Sequence, residues 1–165
     1  MHRKTRKDPA EAGAYDQDMA DHKQVEITTQ FGKLEVDEGI APLVEALHAA
    51  GAWTWNSCEH QAHIGDIAWV ELDLWGFMDL NQRAWTRTKE HYATRDSYDP
   101  EFANLHGWME AECEQGFGYH DDGHVDETDT WVDGDDLSYS VSLRFPREEI
   151  ALFIEFLEPF KVRAQ

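Results

Sequence analysis

A run of carboxylates with no lysine or arginine among them occupies residues 110–136 of this chain. Eleven aspartates and glutamates fall in this stretch, which carries about half of the formal net charge of −20. Like charges at this density oppose burial, so the run must lie at a surface or be balanced by cations from elsewhere. It therefore predicts either a cation-loaded loop or an anionic face for a basic partner.

The residues after Gln115 are rich in glycine and aspartate and show no usable period, which predicts an exposed acidic loop at about 116–136. The candidate partner-binding residues are the carboxylates of the run: Glu110, Glu112, Glu114, Asp121, Asp122, Asp126, Glu127, Asp129, Asp133, Asp135 and Asp136. We expect the partner to be a host protein with a basic surface. Mimicry of DNA is a special case, which requires carboxylates at phosphate-like intervals.

Composition argues for one folded domain. The 165 residues are 41% hydrophobic and include seven tryptophans, enough to form a core. Direct binding to nucleic acid is disfavoured by the charge, and no apolar stretch approaches the roughly 20 residues of a membrane span. The two cysteines fit reduced thiols, which favours a cytoplasmic location.

The chain begins with a basic segment that has no apolar period. Four of the first seven residues are lysine or arginine. This pattern predicts a flexible basic tail over 1–22, followed by a single domain over 23–165.

Hydrophobic periodicity predicts an α+β fold with a mostly antiparallel sheet and helices mainly on one face. A ferredoxin-like arrangement is one variant. The predicted strands cover 24–29, 53–57, 66–75 and 137–145, with a short extended piece ending at Val36. The predicted helices cover 38–50, 77–94 and 100–115, with a last helix that starts at Pro146.

Two local interpretations accompany these elements. Asp37 precedes the first helix, where a carboxylate can accept hydrogen bonds from first-turn amides. Trp53 and Trp55 share one strand face, and Trp69 and Trp75 share a face of the next strand. Four indoles on one side of a sheet form either a binding platform or a second small core, and the core is the favoured interpretation.

The candidate metal ligands fall into two groups. Cys58, His60 and His63 follow a predicted strand and supply the thiolate and imidazole groups that zinc prefers, with a fourth ligand from Cys113 or the acidic run. His120, Asp122 and His124 form a second group for a divalent cation, although the spacing is not that of an EF-hand loop. The alternative for the first group is a buried cysteine at a strand end followed by two exposed histidines, and the alternative for the second group is a solvated turn.

Signatures of catalysis are absent from the sequence. There is no Gly-x-Ser-x-Gly elbow, no glycine-rich phosphate loop and no dinucleotide fingerprint. The sequence therefore favours a non-enzymatic interaction protein, with a metal-binding protein or metal-dependent enzyme as the alternative.

Residues 34–58, which begin Leu-Glu-Val-Asp-Glu-Gly-Ile-Ala-Pro-Leu-Val and end in Ser57-Cys58, resemble a block in a group of small uncharacterised proteins from actinobacteria and their phages. The ending of the chain, a strand followed by Phe145-Pro146 and a helix, resembles the same group. The resemblance implies a phage or mobile-element origin, and small acidic phage proteins commonly bind a host protein. It implies no activity.

Overall fold

The computed structural model describes residues 22–59, 66–93, 104–121, 124–125, 131–132 and 137–162. Its strands are β1 (Gln24–Thr29), β2 (Gly32–Asp37), β3 (Thr54–Cys58), β4 (Ile67–Asp73), β5 (Glu114–Asp121), β6 (His124–Val125), β7 (Trp131–Val132) and β8 (Leu137–Pro146). Its helices are α1 (Ala41–Ala49), α2 (Leu74–Ala93), α3 (Leu105–Glu112) and α4 (Ile150–Leu157). Within the described residues, no helix is long and apolar enough to cross a membrane.

Three antiparallel units make up the strand architecture. β1 and β2 form a hairpin, whose turn places Gly32 at a φ of 117°, a conformation that favours glycine. The four-stranded sheet has the order β3-β4-β8-β5, so β3 and β5 are its edge strands. β6 and β7 pair with each other between β5 and β8 in the sequence.

The hydrophobic core lies on one face of the four-stranded sheet. Alternate residues of β4 (Ala68, Val70 and Leu72) lie directly opposite Phe145, Leu143 and Val141 of β8, and all six are buried. Residues of all four helices belong to the same core cluster. This alternation confirms the predicted α+β class with helices on one face.

The order of the sheet differs from a ferredoxin-like one. In the ferredoxin-like fold, both strand–helix–strand units place another strand between their two strands. β4 and β5, which are joined through α2 and α3, have this arrangement with β8 between them, whereas β2 and β3, which flank α1, do not belong to one sheet. The first and last helices, α1 and α4, contact each other, as they would in a ferredoxin-like arrangement.

β5 corrects the prediction of a loop beginning at about residue 116. The strand runs to Asp121 and pairs with β8 along its whole length. Gly116 and Gly118 lie opposite Ser142 and Ser140, and a Cβ atom on them would come within 2.6 Å and 3.0 Å of the serine hydroxyls. These glycines therefore permit close strand pairing, although in the sequence they are typical of a loop.

Candidate functional site

β2, α1 and β3 form a crossover in which the two strands run in the same direction. At their N-terminal ends, the rings of Phe31 and Trp53 stack with centroids 5.9 Å apart. At their C-terminal ends, the amide of Glu59 donates to the Asp37 carboxylate over 3.2 Å. No backbone hydrogen bond joins β2 to β3 in the described part of the chain. A groove therefore separates them.

His48 of α1 forms hydrogen bonds to the end of β1 and to the start of β3. Its Nε2 accepts the Thr54 amide N–H at 3.1 Å, so Nδ1 carries the proton and donates to the Thr29 hydroxyl at 2.7 Å. The side chain is fully buried, and burial lowers the pKa of His48 to about 4. A neutral imidazole thus links β1, α1 and β3.

At the other end of the crossover, three side chains with metal-ligating atoms converge. His22 Nδ1 lies 2.8 Å from Asp37 Oδ2 and 3.7 Å from Cys58 Sγ. One ligand atom from each residue falls within 4.8 Å of the other two. Asp37 and Cys58 are each 1% exposed, and the His22 side chain is 12% exposed.

Asp37 is held by neighbours that orient its carboxylate toward this cluster. The Gln24 side-chain amide donates to Oδ1, and the Glu59 amide donates to Oδ2. The prediction that Asp37 caps α1 is therefore wrong. The cap position is Ile40, which makes no side-chain cap, because the turn at 38–40 separates β2 from the helix.

The geometry favours coordination over a proton relay. In a nucleophile–histidine–acid triad, the two partners contact opposite ring nitrogens. Here Asp37 and Cys58 both face Nδ1 of His22. Tetrahedral zinc, with bonds of about 2.3 Å to sulfur and about 2.0–2.1 Å to nitrogen or oxygen, requires S···N and N···O separations of about 3.5 Å and about 3.3 Å. The observed S···N distance of 3.7 Å is close to the first value, whereas the N···O distance of 2.8 Å is that of a hydrogen bond and must lengthen on coordination.

The metal ligands predicted from the sequence differ in whether the structure describes their side chains. Cys58 belongs to the cluster, whereas His60 and His63 lie outside the described residues. His120 and His124 lie in strands, but their side chains and all of Asp122 are also outside the described part. The other two residues of the cluster were not predicted as ligands, because the local sequence placed His22 in the basic tail and Asp37 at a helix cap.

Cys113 does not contribute to this cluster. It follows α3, packs against the core and lies beside acidic residues. Burial, together with the neighbouring carboxylates of Glu149 and Glu112, raises the pKa of the Cys113 thiol to about 12. This thiol stays protonated near neutral pH and is a poor ligand.

The tryptophans do not form one buried layer. Trp53 and Trp55 are 44% and 36% exposed and stack on each other with centroids 5.4 Å apart. Trp69 is buried, and Trp75 is exposed at the start of α2. The favoured core interpretation is therefore wrong for Trp53, Trp55 and Trp75. With Phe31, the first two form an exposed aromatic row beside the groove.

The described carboxylates of the acidic run are exposed. Glu110 and Glu112 lie on α3 and Glu114 at the start of β5, and the Glu110 carboxylate lies 3.5 Å from Nε2 of His106. Asp121 ends β5, but its side chain is not described. The remaining predicted partner-binding residues lie outside the described part of the chain: Asp122, Asp126, Glu127, Asp129, Asp133, Asp135 and Asp136.

Comparison of the chain with protein-family models, curated proteins and solved structures finds no match. The functional proposal therefore depends on the structure of the chain itself.

Proposed function

We propose that this protein binds a transition-metal ion, with zinc as the best fit, through His22, Asp37 and Cys58. The observation that carries the proposal is the convergence of one nitrogen, one oxygen and one sulfur atom within 4.8 Å. Thiolate and imidazole are borderline to soft ligands, a set that suits zinc better than calcium or magnesium.

Surrounding contacts support a fixed site. The Gln24 amide and the Glu59 backbone N–H hold the Asp37 carboxylate, as outer-shell partners hold ligands in metal sites. The near-complete burial of Asp37 and Cys58 favours a closed, structural role for the ion. The fourth ligand is predicted to be His60 or His63, which follow Cys58 closely in sequence.

Metal binding at this cluster expels protons. In the metal-free arrangement, the 2.8 Å contact between His22 Nδ1 and Asp37 Oδ2 is a hydrogen bond, which requires a proton on that nitrogen or that oxygen. Coordination removes this proton and the thiol proton of Cys58, so affinity falls as the pH falls.

Zinc titration of the untagged protein, followed by calorimetry and thermal unfolding, tests the proposal. We expect one equivalent to bind and to raise the midpoint of unfolding, because an ion that binds only the folded state stabilises it. Cys58→Ser and His22→Gln should each weaken binding by at least tenfold. Whichever of His60→Ala and His63→Ala weakens zinc binding identifies the fourth ligand.

Cys113→Ser is the matched control, since it removes the other cysteine and leaves the cluster intact. Equal zinc affinity in the Cys58 and Cys113 variants, or no binding by the parent protein at micromolar zinc, overturns the proposal.

A second candidate function is the binding of a basic host protein through the acidic run. The observation that favours it is the β5 surface, which we define as Glu110, Glu112, Glu114 and the exposed aromatic residues Phe117, Tyr119 and Tyr139. Phe117 and Tyr119 lie on one face of β5, where Tyr119 pairs directly with Tyr139, whereas Glu114 lies on the other face, opposite Arg144. Exposed aromatic residues are typical of interfaces. The phage or mobile-element origin stays a prediction.

Recovery of lysate proteins at low and high salt tests this candidate. A Gln variant of Glu110, Glu112 and Glu114 should lose the salt-sensitive partners. A control with the same charge change at the exposed residues Glu45, Glu90 and Glu155 should retain them. Equal loss from both variants indicates a general charge effect and contradicts a specific surface.

A further inference from the structure

The groove between β2 and β3 is a cavity of about 290 Å³, and Asp37 of the proposed metal site belongs to its lining. One wall comes from the hairpin, including Glu35, and the other from β3, including Trp53, Trp55 and Asn56. Its volume lies at the lower end of the range for small-ligand pockets, about 300–1,000 Å³. It therefore suits one side chain or a small group.

The aromatic row gives this groove a wall that attracts cations. Phe31, Trp53 and Trp55 stack in sequence, with interplanar angles of 12° and 15°. Two indoles at a groove, each more than a third exposed, leave apolar surface in water that a ligand can cover. Tryptophan is the aromatic side chain that binds cationic groups most strongly.

Glu35 adds an unneutralised carboxylate. It is exposed and lies directly opposite Glu26 in the hairpin, an arrangement of like charges that destabilises strand pairing. Lys33 neutralises Glu26 across 2.6 Å, whereas Glu35 forms no ion pair with any described residue. A cation bound in the groove would pair with the Glu35 carboxylate.

At the edge of β3 that faces the groove, two backbone donors are not free to pair with an added strand. The amide N–H of Ser57 donates to the Asn56 side chain at 2.8 Å, and that of Glu59 donates to Asp37 at 3.2 Å. Two donors that an incoming backbone would need are therefore already occupied. Recognition in the groove must depend on side chains.

We infer that the groove binds an arginine side chain presented by a partner protein, with its guanidinium group against the Trp53–Trp55 indoles and paired with Glu35. Arginine fits better than lysine because its planar, weakly hydrated group stacks on aromatic rings and pairs with carboxylates in a fixed geometry. The net charge of −20 attracts such a ligand.

Titration of the full chain with three short blocked peptides, which carry arginine, lysine or citrulline at one central position, tests the inference by calorimetry. We expect the arginine peptide to bind, the lysine peptide to bind several times more weakly, and the neutral citrulline peptide to bind at least tenfold more weakly. Glu35→Gln and Trp55→Ala should each weaken arginine binding by roughly tenfold.

Glu45→Gln is the matched control: it removes the same charge from an exposed position of α1 and should change affinity by less than twofold. Glu35 is exposed, so its variant should fold normally even if Trp55→Ala does not. The inference is overturned if the arginine and citrulline peptides bind equally, if Glu35→Gln matches Glu45→Gln, or if no arginine peptide binds at millimolar concentration. Preferential binding of a neutral oligosaccharide also overturns it.

Discussion

At one edge of the four-stranded sheet, β3 borders a groove, a buried histidine and a cluster of three ligand atoms; at the other edge, β5 carries exposed aromatics and carboxylates. Both edges carry polar side chains. At the β3 edge, Asp37 and His48 are buried and hydrogen-bonded to specific partners, whereas the described carboxylates at the β5 edge face water. Burial is what turns polar side chains into a site with defined geometry, because unpaired groups are costly there.

The largest expected effect of this difference is on stability. Asp37→Asn places an N–H₂ group or a neutral oxygen where Gln24, Glu59 and His22 converge, so we expect a loss of about 2–4 kcal/mol of unfolding free energy. Glu114→Gln, the equivalent change at the β5 edge, should cost less than about 0.5 kcal/mol. Urea unfolding measures both, and similar losses would contradict the contrast between the edges.

The next effect is on pH dependence. The folded-state pKa of His48 is about 4 against an ordinary value of 6.5, so the unfolded chain binds more protons between these values. The contribution of His48 to the free energy of unfolding is complete above pH 6.5 and is lost as the pH falls toward 4. Between pH 7 and pH 5 the loss should be about 2 kcal/mol.

Urea unfolding of the parent protein and of His48→Gln over this pH range isolates the contribution. The glutamine keeps a donor and an acceptor but does not titrate. The free energy of unfolding of His48→Gln should therefore vary less with pH, by the amount that His48 contributes in the parent protein. Identical pH profiles would show that His48 is not the neutral link between β1, α1 and β3.

The smallest expected effect concerns the β5 edge itself. Phe117 is 77% exposed, so Phe117→Thr should change stability by less than about 0.5 kcal/mol. A loss above about 2 kcal/mol by urea unfolding would show that Phe117 is part of a packed structure. In that case, the β5 surface would be core rather than an interface.

Local sequence patterns predicted the strands and helices of this fold better than the residues of the candidate site. The alternation in β1 and β8 and the apolar spacing of α1 indicated these elements to within a few residues. β5 was missed because Gly116 and Gly118, which are typical of loops, lie in a strand against the Ser142 and Ser140 hydroxyls of its partner. That contact comes from the partner strand and leaves no signal within the segment itself.

The candidate site was only partly predictable because its residues are distant in sequence. His22 and Asp37 are 15 positions apart, and His22 and Cys58 are 36 apart. The hairpin and the α1 crossover bring them together, and no fixed spacing marks such a cluster. Cys58 alone was identified, from its chemistry, whereas the immediate context of His22 and Asp37 indicated a tail and a helix cap.

The most direct test of the metal-site proposal is the absorption spectrum of the cobalt(II)-loaded protein, since cobalt replaces zinc and reports its ligands. We predict a thiolate-to-cobalt charge-transfer band and tetrahedral d–d bands at one equivalent, retained in Cys113→Ser and lost in Cys58→Ser. The bands should weaken as the pH falls, because the ligands must lose protons. A spectrum without a thiolate band, or one unchanged by Cys58→Ser, would contradict a metal centre at His22, Asp37 and Cys58.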